Sequence, residues 1–113
     1  MNKYHVFHRT PYVPRINTDD IQCLDDDYVH VAILHCPSID KAFELTNSID
    51  FAWWNNVEIE WYKEPTRSTS VGDVIVCDGG RFTGAFIVES VGFRKLKQKE
   101  VINCERLEKI DNR

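Results

Sequence analysis

Apolar and polar positions alternate or recur along the chain in a pattern that predicts six extended segments and one clear helix. Tyr4-His5-Val6-Phe7-His8 reads as a first strand, closed off by Pro11 and Pro14, which have no N–H to give a ladder. Residues 10–27 read as irregular. Tyr28-Val29-His30-Val31-Ala32-Ile33-Leu34-His35 is rich in β-branched residues, and strict alternation puts Val29, Val31 and Ile33 on one face, Ala32 and Leu34 on the other. Pro37 ends that strand. Ser38 is then placed to cap a helix over 38–47, with Asp40 in its first turn. The buried stripe of this helix, about three turns long, is Ile39, Ala42, Phe43, Leu45 and Thr46, with Asn47 expected as a left-handed cap.

Beyond the Asn55-Asn56 turn signal, Val57-Glu58-Ile59-Glu60-Trp61-Tyr62 alternates at period two, which predicts a strand with Val57, Ile59 and Trp61 inward. Val74-Ile75-Val76-Cys77 and Arg81–Val88 flank Asp78-Gly79-Gly80, the composition of a tight hairpin. Gly84 predicts a bulge or a close backbone approach. Val91–Leu96 completes a three-stranded meander. Val101, Cys104, Leu107 and Ile110 recur every three residues and predict a C-terminal helix. The expected fold is α+β: a mostly antiparallel sheet of five or six strands with helix 38–47 packed across one face.

Composition narrows this to one domain over residues 1–113, with the tail from about 98 as its less ordered part. At 42% hydrophobic and 12% aromatic residues, the chain has enough apolar surface to offset the entropy of ordering. No stretch approaches the ~20 apolar residues that span a bilayer, and the start resembles no signal peptide, so a cytoplasmic, reducing setting is expected. Cys23, Cys36, Cys77 and Cys104 include no C-x-x-C pair and are expected as free thiols. The net charge of −4 divides unevenly: residues 1–66 hold 5 basic and 11 acidic side chains, residues 67–113 hold 9 and 7. That balance gives no broad attraction to nucleic acid.

Candidate chemistry is sparse. His5 and His8 are expected on opposite strand faces, His30 and His35 likewise, so local chelation fails and no metal is expected. Cys36 beside His35, and Ser68 and Ser70 before Gly72-Asp73, are nucleophile types without a recognisable partner set, so no catalysis and no cofactor are expected. Asp19, Asp20, Asp25, Asp26 and Asp27 lack calcium-loop spacing and read as a solvated acidic loop, a surface for a basic partner. Arg94, Lys95, Lys97 and Lys99 could contact phosphates, with Arg67 in addition, or simply guard a sheet edge. Trp53 and Trp54, adjacent indoles beyond the helix, read either as holding one interface anchor or as a pair that caps the open end of the core.

The run Arg67-Ser68-Thr69-Ser70-Val71-Gly72-Asp73-Val74-Ile75-Val76, with Gly79-Gly80 and Val91-Gly92-Phe93 after it, resembles small uncharacterised proteins of bacteriophages and mobile elements, including YodL-like domains. Ala42-Phe43-Glu44-Leu45-Thr46-Asn47 and Trp53-Trp54 extend the resemblance over roughly residues 28–96. It implies a phage or plasmid accessory protein in the bacterial cytoplasm and assigns no activity to any residue. In physical terms the motif reads as a turn, its hydroxyls bonding backbone and Gly72 relaxing it, with Arg67 and Asp73 as its surface-active members. The function expected is non-catalytic binding of a host or phage macromolecule, chiefly a protein, through Asp25, Asp26, Asp27, Trp53 and Trp54. The rival is a nucleic-acid module using Arg67, Arg94, Lys95, Lys97 and Lys99.

Overall fold

The computed structural model of the chain describes residues 2–10, 18, 28–47, 52–63, 67–78 and 84–97. Six strands, β1 (Asn2–Arg9), β2 (Tyr28–Cys36), β3 (Ile59–Tyr62), β4 (Val74–Asp78), β5 (Gly84–Val88) and β6 (Phe93–Lys95), form one sheet in the order β3-β2-β1-β4-β5-β6. Every neighbouring pair is antiparallel. Among the described residues one helix, α1 (Ile39–Thr46), follows β2, and a 3₁₀ turn covers Trp53–Asn55. This is the α+β arrangement the residue pattern predicts, with the meander β4-β5-β6 as one half. Among the described residues no helix is long and apolar enough to cross a membrane.

Both faces of the sheet carry buried side chains, because β1 and β4 alternate apolar residues to each. Tyr4, Val6, Ile75 and Cys77 join Ala32, Leu34, Cys36 and Val88 under Ala42 of α1 and Trp53. On the opposite face Phe7, Val74, Val76, Ala85 and Ile87 pack with Tyr28 and Leu96. Ser38 caps α1 as expected, its hydroxyl accepting from the Lys41 N–H at 3.2 Å.

Several expectations need correction, and two bulges explain most of them. Val6 pairs with Ala32 and Phe7 with His30, so Val31 is an extra residue in β2. The alternation therefore slips by one, and Val31 and Ala32 both serve the α1-side core while Ile33, opposite His5, faces away. Likewise Ile33 pairs with Trp61 and Leu34 with Ile59, which leaves Glu60 as an extra residue in β3. Ile59 and Trp61 thus point to opposite faces. Trp61 is 42% exposed rather than inward, and Val57, in the turn before the strand, is 95% exposed. α1 is eight residues, shorter than three turns, and Asn47 has φ −120°, not a left-handed cap. Gly84 pairs with Cys77 in regular register, without the expected bulge, and its φ of 147° is one that favours glycine. The acidic loop, the Gly79-Gly80 turn and the expected C-terminal helix lie outside the described residues.

Candidate partner-binding surface

The sequence predicts segment 67–73 as architecture with two surface-active ends, and the structure makes it architecture throughout. Asp73 is fully buried and forms a two-pronged ion pair with Arg67, Nη1 to Oδ2 at 2.6 Å and Nη2 to Oδ1 at 2.7 Å. Its oxygens also accept from the Arg9 and Ser70 backbone N–H groups, each at 2.8 Å. Four donors around one carboxylate compensate its removal from water. Arg67 donates further to the carbonyls of Arg9 and Ser68 and to the Ser70 hydroxyl. Gly72, at φ 94°, turns the chain so that its carbonyl accepts from the Tyr28 hydroxyl at 2.8 Å. The Arg9 guanidinium lies 5.5 Å over the Tyr28 ring.

A chain of hydroxyls joins this segment to the helix. Thr69 donates to Thr46 at 2.8 Å, and Thr46 donates to the Ala42 carbonyl at 2.9 Å. Each hydroxyl has one proton to give, so the Thr69 oxygen is left to accept from His8 Nε2 at 2.9 Å. That direction selects the Nε2–H form of a neutral imidazole. Burial pushes the His8 pKa down to about 4, with Arg67 adding to the fall and Asp73 opposing it. A threonine, a histidine and an aspartate therefore meet, but they meet as a buried strut.

The candidate nucleophiles are similarly constrained. Burial pushes the Cys36 and Cys77 thiols up, away from the reactive thiolate, and Cys36 Sγ donates to the Ser38 carbonyl. His35 pairs with Glu60 at 2.7 Å rather than with Cys36.

Trp53 is corrected as an anchor: it is 1% exposed, and its indole N–H donates to the Arg67 carbonyl at 3.2 Å. Trp54 is only half-buried. It meets Trp53 edge-on at 5.6 Å and stacks on Tyr62 at 5.9 Å, the planes 23° apart. Tyr62 is 37% exposed on β3, the outermost strand of the sheet, and on the other face Trp61 leans on His30 at 5.0 Å. His30 in turn stacks on Phe7 at 4.7 Å and contacts His5 Nδ1 through Nε2 at 3.2 Å. His5 Nε2 lies 3.6 Å from Asp78. One edge of the molecule therefore presents Trp54, Trp61 and Tyr62, each ring steadied by another behind it. Sequence reasoning missed Trp61 because strict alternation turns it inward with Val57 and Ile59, and passed over Tyr62 because alternation alone does not show that β3 is outermost.

The basic candidates separate. Arg67 is committed as above, and Arg94 bonds Glu89 at 3.3 Å and the Thr18 carbonyl at 2.6 Å. Lys95 and Lys97 are exposed on either side of buried Leu96. Lys99, Asp25, Asp26 and Asp27 lie outside the described residues. Among the described residues no group of three or more His, Cys, Asp or Glu side chains could hold a metal ion.

Comparison of the chain with family models, with curated proteins and with solved structures gave no match.

Proposed function

We propose that this chain is a non-catalytic binding protein, an accessory factor of a phage or mobile element, whose partner is a host or phage protein held at the β3 edge. The observation that carries this reading is the exposure of Trp61, at 42%, and Tyr62, at 37%, on the two faces of an outermost strand, Tyr62 being stacked on Trp54. Aromatic rings already fixed by their neighbours lose little freedom on binding and offer large area with a polar tip. They are the residue types that dominate interface energetics. The buried His8, Thr69 and Asp73 strut and the protonated thiols support binding over acyl transfer. The engagement of Arg67 and Arg94 in internal bonds favours a protein over a nucleic acid.

Affinity capture from bacterial lysate, with the retained protein identified and rebound in purified form, tests this. Trp61→Ser and Tyr62→Ser together should weaken that binding by roughly 30-fold or more, the loss of at least one interface hot spot of about 2 kcal/mol. Unchanged affinity in the double variant would count against the β3 edge. Retention on DNA or RNA that falls steeply with ionic strength would replace the protein partner with nucleic acid.

A further inference from the structure

A cavity of about 420 Å³ opens beside the first turn of α1, on the face of the sheet away from Trp61 and distinct from the aromatic edge. Its size is that of a site for a small organic ligand. Buried Tyr4 and Cys77 form its base, half-buried Ile39, Phe86 and Phe93 its walls, and Asp40 stands exposed at its mouth. Phe93 is held by an edge-on contact with Phe43 at 6.0 Å, so this wall is fixed from behind. Tyr4 is fixed too: its hydroxyl accepts from Asn2 Nδ2 at 3.3 Å.

We propose that this cavity binds a small organic monocation, a primary amine on a flat apolar body. The walls favour carbon over water, at about 25 cal/mol per Å² of apolar surface covered. Three aromatic residues, Tyr4, Phe86 and Phe93, line it, and an ammonium group is attracted to the face of such a ring. Asp40 is the one charged residue among the described lining residues, and it complements a cation while repelling a carboxylate. The full negative charge of Asp40 outweighs the partial positive charge of the helix start, where the Ser38 hydroxyl already takes the Lys41 N–H at 3.2 Å. Lys95, opposite Phe86 in the β5–β6 ladder, lies outside the lining.

The test is titration of the full chain, followed by ¹H–¹⁵N NMR, with three probes of similar size: 2-phenylethylammonium, 2-phenylethanol and phenylacetate. The ammonium ion should shift the amides of residues 38–40, 77, 86 and 93 saturably, with an affinity at least tenfold above that for phenylacetate. Asp40→Asn, a change at an exposed side chain, should bring the ammonium ion down to the affinity of the alcohol. Ile39→Trp, which fills the cavity from its wall, should abolish the shifts while the spectrum stays dispersed. Shifts that do not saturate, phenylacetate binding as tightly as the ammonium ion, or an Asp40→Asn chain with unchanged selectivity would overturn the assignment. The last two keep it open to refutation even if Ile39→Trp does not fold.

Discussion

Neutralising Asp73 by Asp73→Asn leaves the Arg67 guanidinium facing a group that can no longer balance it, beneath a shell of backbone donors. Breaking a buried pair from one side costs about 3–5 kcal/mol, so the urea midpoint should fall steeply with little change in slope. With Asp73 in place, Arg67→Lys should keep only part of the pair's contribution, since an ammonium cannot reproduce the two-pronged contact. His8 sets an acid limit of its own. Its folded pKa of about 4 lies below the ordinary 6.5, so the unfolded chain binds more protons between those values. The stability it contributes is complete above pH 6.5 and is lost as pH falls toward 4, on the order of 3 kcal/mol in all. Urea unfolding at pH 7.5 and pH 5 should show this loss in the native chain and a smaller one in His8→Gln. At this scale the sequence was partly legible. The Arg-Ser-Thr-Ser-Val-Gly-Asp run announced a hydroxyl-rich turn, but nothing local shows that Arg67 and Asp73, six residues apart, close on each other over the end of β1.

Elements were read best where one face decides them. Ser38 followed by Asp40 and a stripe at three- and four-residue spacing specifies α1, and Ser38→Ala should cost about 1 kcal/mol by freeing the Lys41 N–H. Thermal unfolding of that variant against the native chain measures it. β4 and β5, bounded by turn residues, were equally plain. β2 and β3 were not, and the cause is physical: one inserted residue at Val31 and another at Glu60 exchange the faces of everything beyond them. A bulge leaves the residue pattern intact while reversing its meaning, so Trp61 read as core and emerged at the rim. Trp53 erred the other way. Two adjacent indoles suggested a surface, yet the 3₁₀ turn sends one inward to the Arg67 carbonyl and leaves only its neighbour half outside.

For the whole molecule, the separation between what holds the fold and what faces outward is itself measurable. Trp61→Ser and Tyr62→Ser, at partly exposed positions on an outermost strand, should each lower stability by less than about 1 kcal/mol. Trp53→Ala, which empties a fully buried site, should cost about 3–5 kcal/mol. Chemical denaturation of the three variants side by side checks that contrast. If the rim variants proved as damaging as Trp53→Ala, the β3 edge would be structural and its role as a partner surface would fall.

The first strand of the chain sits between β2 and β4, and no other ladder among the described residues joins the pair β2-β3 to the trio β4-β5-β6. A ribosome therefore makes the keystone before either half of the arch exists. β1 and β2 can form a hairpin early, but a lone two-stranded ribbon is marginal in water. The other flank of β1 waits until Asp78 has left the exit tunnel. Nascent chains should thus remain protease-sensitive until β4 has emerged and then become resistant all at once, a timing open to a chaperone or to a partner that binds the waiting flank of β1.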